Sequence, residues 1–117
     1  MNYQKDKFKI SADVKKFILD LEKLLANVPR KDLYNRDRIR DDVTDLLYFI
    51  HLANYTKDER VKRGYQIDIL AKLSLIDFYL ERAYTLKYIS SKQLYTYTKK
   101  LGEITKMTHG WINSEES

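Results

Sequence analysis

Pro29 is the only proline in the 117-residue sequence, and Gly64, Gly102 and Gly110 are its only glycines. A chain that turns often needs both residue types. Glycine supplies positive φ, and proline presets the turn. So few of either exclude a loop-rich or all-β fold and leave long helices as the way to use the chain. At 117 residues the chain is one domain. Its 44% apolar content is enough to build a core.

The apolar spacing is helical almost throughout. Val14, Phe17, Ile18, Leu21, Leu24 and Leu25 recur at three–four steps, with Ser11 as the expected N-cap. Pro29 ends that segment by forcing Val28 toward extended backbone. A second stripe runs Ile39, Val43, Leu46, Leu47, Ile50 and Ala53. Thr56 followed by Glu59 reads as a capping box opening a third helix, and Ser90 followed by Gln93 as one opening a fourth. The fourth stripe is Leu94, Tyr97, Leu101, Ile104, Thr108 and Trp111. The expected helices are 11–27, 35–55, 58–88 and 91–113. Their short connections predict an all-α, up-down-up-down antiparallel four-helix bundle. Gly102 and Gly110 interrupt the fourth helix at ~1 kcal/mol each, so close helix approach is expected at one or both of them.

The third segment has too many apolar residues for one face. Leu70, Leu73, Ile76, Leu80 and Ala83 form a stripe, while Ile67, Ile69, Leu75, Phe78 and Tyr79 fall largely outside it. A helix apolar on more than one face is buried on more than one. Leu75, Phe78 and Tyr79 are therefore expected at an oligomer interface, and so is Trp111 of the fourth segment, since Tyr and Trp are enriched at association hot spots, with the core as the alternative place for all four.

Little in the sequence points to catalysis. Without cysteine there is no disulfide, thiolate metal site or thiol nucleophile. The histidines, His51 and His109, lack a carboxylate or second histidine at ligand spacing. Neither has an arginine four to six residues before it, the spacing of one class of helical ribonucleases. No phosphate-binding glycine loop or nucleophile elbow occurs. Asp41, Asp42 and Asp45 could hold a divalent metal in a nuclease, but nearby Arg38 and Arg40 make a salt-bridged surface the simpler expectation. No enzyme activity, cofactor or metal is expected. The longest run without a charge, Leu46 to Thr56, is too short for a bilayer, which needs ~20 apolar residues. The first ten residues lack the apolar stretch of a signal peptide, so the expected location is the cytoplasm.

The formal net charge is +5. Its excess peaks in residues 29–36 and 56–64, each carrying +2, whereas 37–55 carries −2. Basic turns are ordinarily solvated surface. Two such clusters near helix ends make Arg30, Lys31, Arg36, Lys57, Arg60, Lys62 and Arg63 the candidate nucleic-acid contacts. Tyr55 and Tyr65 flank the second cluster and are the candidates for base stacking.

Certain short motifs carry a resemblance. Val28-Pro29-Arg30-Lys31 follows the first helix, Leu52-Ala53-Asn54-Tyr55 closes the second, and Gly110-Trp111-Ile112 lies near the C-terminus. In this order, and from about Phe17 to Trp111, the chain resembles the accessory variability determinant (Avd) family of diversity-generating retroelements. A sister branch, encoded in intervening sequences of 23S ribosomal RNA genes, shares the bundle but usually carries an Arg-Arg-Ala-type motif in its second helix. Here that place holds Asp42-Val43-Thr44-Asp45-Leu46-Leu47, which favours the Avd branch. The resemblance implies a homopentameric barrel without catalytic activity that binds the element's reverse transcriptase and template RNA during mutagenic cDNA synthesis. The alternative expectation is a structural oligomer that docks a protein partner and has no specific RNA role.

Overall fold

The computed structural model describes the backbone of residues 3–116 and the side chains of residues 9–114. Four helices account for most of it: α1 (Tyr3–Leu25), α2 (Leu33–Tyr55), α3 (Glu59–Thr85) and α4 (Ser91–Glu116). A 3₁₀ turn, Arg30–Asp32, leads into α2. No strand occurs among the described residues. Each helix packs on its two neighbours in the cyclic order α1–α2–α3–α4, with the most extensive contact between α2 and α3. The neighbours are antiparallel: Tyr34 meets Tyr79, Asp42 meets Lys72, and Phe49 meets Tyr65. Likewise Asp20, near the end of α1, meets Lys100, near the start of α4. The expected four-helix bundle is the observed fold.

The stripes form the core. Val14, Phe17, Leu21, Ile39, Val43, Leu46, Ile50, Leu73, Ile76, Leu80, Leu101 and Ile104 are all buried. At ~1.5–3 kcal/mol per buried large apolar side chain, this packing outweighs helix propensities of tenths of a kcal/mol per residue. It decides where the helices sit.

The helix ends differ from the expectations in several places. Ser11 is not an N-cap, because α1 begins at Tyr3. Ile10, four residues before Val14, continues the stripe and is fully buried, so the core already holds the helix on the N-terminal side of Ser11. Thr56 caps the end of α2 rather than the start of α3: its N–H and its hydroxyl both bond the Leu52 carbonyl. The N-cap of α3 is Asp58, whose Oδ1 accepts from the Arg60 and Val61 amides at 2.9 and 3.1 Å. A carboxylate is a strong cap and also complements the positive end of the helix dipole. Helix α3 stops at Thr85 rather than near 88. Lys87 has φ 65°, and the Tyr88 amide reaches back to the Ala83 carbonyl, which closes the helix in a Schellman-like turn. The Ser90–Gln93 capping box forms as expected, with the Ser90 amide donating to Gln93 Oε1 and the Gln93 amide to Ser90 Oγ.

Gly102 does not mark a close approach. A Cβ built there meets nothing within 4 Å, and its φ is not positive. We therefore expect Gly102→Ala to raise stability by about 0.5–1 kcal/mol, the helix penalty of glycine. Urea unfolding checks it. A destabilised variant would mean that the backbone there needs freedom not seen in this fold.

Candidate nucleic-acid and partner interface

The two basic clusters occupy opposite ends of the bundle. Arg30 and Lys31 are exposed in the 3₁₀ turn, and Arg36 is half-buried in the first turn of α2, 3.6 Å from Asp37. Lys57 and Arg60 are exposed at the far end of α2, with Lys62 and Arg63 half-buried beside them. The 23 residues of α2 separate the clusters by about 34 Å at 1.5 Å per residue. One protomer therefore does not merge the seven cations into one patch.

The two ends also differ in kind. Near the first cluster, Asp32 is clamped from three sides. Tyr88 donates to its Oδ2 at 2.7 Å, Arg82 Nη1 donates to the same oxygen at 3.0 Å, and the Asn35 amide donates to Oδ1. Arg82 also donates to Oδ1 of the buried Asn35 side chain. The Tyr88 hydrogen bond, then Arg82, hold the Asp32 carboxyl below its usual range despite partial burial. The same bond pushes the Tyr88 phenol up. The turn carrying Arg30 and Lys31 is thus pinned to α3 and to the α3–α4 connection.

At the other end the nearby carboxylates are occupied. Asp58 caps α3, and Glu59 lies 3.9 Å from Lys62. Among the described residues neither Lys57 nor Arg60 has an ion-pair partner. Tyr55, the last residue of α2, is 83% exposed. Tyr65 is not a free stacking surface: its ring stacks on Phe49 at 6.4 Å and packs against the core.

The aspartates of α2 do not form an open carboxylate cluster. Asp42 is only 1% exposed. Its Oδ1 accepts from Lys72 at 3.1 Å, with Arg38 at 3.9 Å, and Lys72 also reaches Asp45 at 3.0 Å. Burial works against the Lys72 charge, yet the bonds to Asp45 and Asp42 outweigh it and hold the ammonium above its usual range. Among the described residues no group of three His, Asp or Glu side chains is arranged to hold a metal. His51 is half-buried and His109 exposed.

The expected interface residues divide. Phe78 is 56% exposed, Leu75 is exposed as well, and Tyr79 is half-buried with its ring edge-on to Phe78 at 5.2 Å. Tyr79 also meets Tyr34 hydroxyl to hydroxyl at 3.3 Å and carries the Arg38 guanidinium over its ring. The Tyr34 hydrogen bond and then Arg38 draw the Tyr79 phenol down, while Tyr34 is pushed up. Trp111 corrects the expectation: it is fully buried within the protomer. It ends the same stripe as Ile104 and Thr108, and the largest side chain of that stripe fills the core. Ile69 is likewise buried, whereas Ile67 is exposed with Leu75 and Phe78.

Asp32, Lys72, Arg82 and Tyr88 were not among the sequence candidates. Three buried polar residues did carry a signal. Asn35 and Asp42 fall on the α2 stripe at helical spacing from Ile39 and Leu46. Gln66 begins the α3 stripe that continues Ile69, Leu73, Ile76, Leu80 and Ala83.

No family model matches the sequence, and no curated protein matches it. The fold is similar to that of a protein of unknown function from the S23 ribosomal protein family of Bacteroides thetaiotaomicron VPI-5482, solved as a crystal structure at 1.70 Å resolution. The TM-score is 0.79 at 20% identity, over 96% of this chain and 98% of that one. At that identity the likeness is one of fold. No helix among the described residues is long and apolar enough to cross a membrane.

Because the Asp32 pKa is lowered on folding, its clamp contributes stability above the unfolded carboxyl pKa of ~3.9 and loses it as pH falls through the lower folded value. Stability of wild type minus that of Asp32→Asn is expected to be constant above about pH 5 and to shrink below it. Urea unfolding across that range tests this. A difference independent of pH would mean that the carboxylate charge plays no part in the clamp.

Proposed function

We propose that this protein is a non-catalytic accessory scaffold of a diversity-generating retroelement, binding the element's reverse transcriptase and template RNA in support of mutagenic cDNA synthesis. The observation that carries this reading is the exposed, unneutralised cation pair Lys57 and Arg60 at the α2–α3 end. It supports the reading because it lies on a four-helix bundle, the protomer fold that the Avd resemblance implies. Phosphate contacts of this kind hold RNA without reading its sequence.

Assembly multiplies the effect. Leu75 and Phe78 leave apolar surface uncovered on α3, and burial between copies is the ordinary use of such surface. A cyclic pentamer would repeat the same cations around one axis, five chains of +5 each. A ring of like charge concentrates a polyanion far better than one subunit does. Native mass spectrometry on nuclease-treated protein is expected to give five times the 14.1 kDa of one chain. A monomer, dimer or tetramer would break the analogy with the Avd barrel.

Charge reversal of Lys57 and Arg60 is expected to weaken RNA binding. It should also flatten the log–log salt dependence by about 0.7 per lost single-strand phosphate contact. Both side chains are exposed, so the fold should persist by circular dichroism. The competing reading, an oligomer that docks only a protein partner, predicts no RNA binding beyond that of any basic protein. An unchanged affinity and salt slope in the variant would favour it.

A further inference from the structure

We propose that the α2–α3 end is a stacking platform for single-stranded RNA: Tyr55 receives a base, Lys57 and Arg60 hold the flanking phosphates, and Tyr48 offers a second ring on the same face of α2. This rests on the RNA-binding reading above and names the form of RNA that the site selects.

One exposed tyrosine on a protein surface is ordinary. Here several observations converge. Tyr55 and Tyr48 are 83% and 58% exposed, and the Tyr48 ring meets Phe49 only at a tilt, 5.9 Å between centroids, so both residues stay accessible. They are seven residues apart on one helix, two turns and about 10.5 Å along the axis, which places them on one face. That spacing suits bases a few nucleotides apart in one strand. Lys57 follows Tyr55 by two residues, and Arg60 stands in the first turn of α3. Neither carboxylate between them is ion-paired with Lys57 or Arg60: Asp58 accepts from the amides of α3, and Glu59 lies 3.9 Å from Lys62. Tyr65, by contrast, is half-buried, stacked on Phe49 and packed against the core, so it offers no free ring.

A stacking ring beside unpaired cations is the recurring arrangement of single-strand binding. Every base offers a π face and every nucleotide a phosphate, so affinity follows strandedness rather than sequence. In a duplex the bases are already stacked on one another and cannot lie on a tyrosine. The cations attract both forms, and the rings distinguish them.

The test uses the full chain and a fluorescein-labelled RNA of about 12 nucleotides without self-complementarity, alone or annealed to its complement. Anisotropy titrations at about 150 mM salt give both affinities. Tyr55→Ala is expected to weaken single-strand binding about tenfold, the loss of one stacked base, with duplex affinity and salt slope unchanged. Tyr55→Phe should retain wild-type affinity, since the ring and not the hydroxyl does the stacking. Tyr55→Trp should place an exposed indole there, quenched by the single strand and not by the duplex, against the buried Trp111.

Equal single-strand affinity of wild type and Tyr55→Ala, or an equal loss for both RNA forms, would overturn the stacking proposal while leaving RNA binding intact. An unquenched Tyr55→Trp would overturn it too. Wild-type protein that binds neither RNA form would overturn the RNA-binding reading and this one with it.

Discussion

The seam between α2 and α3 rests on a carboxylate that water cannot reach. Asp42 lies on the core stripe of α2, and the Lys72 ammonium on α3 is the cation that meets it at hydrogen-bond distance. A buried charge left without its partner costs several kcal/mol, a large fraction of a domain's whole stability. A slide of one turn would leave the apolar residues around it against other apolar residues, at the cost of packing, but would leave Asp42 without its partner. The ion pair therefore penalises the wrong registers. The same register that joins Asp42 to Lys72 brings Tyr34 to Tyr79 and Arg82 to Asp32. The clamp on the 3₁₀ turn and the placement of the exposed α3 strip both follow from it.

Much of this fold can be read from spacing alone, because each helix buries one continuous stripe. The fourth helix is the clearest case: its reciprocal Ser90–Gln93 cap and its three–four steps down to Trp111 are both observed. Misreadings arise where two residues compete for one task. Thr56 and Asp58 can both cap α3, and the charged one nearer the first turn does so. Trp111, which the sequence left between interface and core, ends the α4 core stripe and is buried there. The apolar excess of α3 is real, in Leu75 and Phe78. Asn35, Asp42 and Gln66 lie on stripes as well, and a polar residue there signals a partner on the facing helix. Which residue supplies that partner depends on register, which a single helix does not contain.

The candidate site was legible as composition and illegible as arrangement. Seven cations near two helix ends read alike in the sequence. In three dimensions Arg30 and Lys31 stand exposed on a turn that Asp32 ties to α3, whereas Lys57 and Arg60 stand exposed beside Tyr55. That difference comes from contacts separated by about fifty residues along the chain, such as Asp32 with Arg82. No local pattern records it.

Placing the two basic groups at opposite ends of a rod has a geometric consequence. Copies of this chain related by rotation about an axis along the bundle would all point the same way. The resulting ring would have a front and a back, with the open, tyrosine-bearing rim on one and the clamped rim on the other. No twofold axis would exchange them. Such an object has polarity, and so does a nucleic-acid strand. A strand and a second protein could then be received on different sides, each in a defined sense, by a body made of a single kind of subunit.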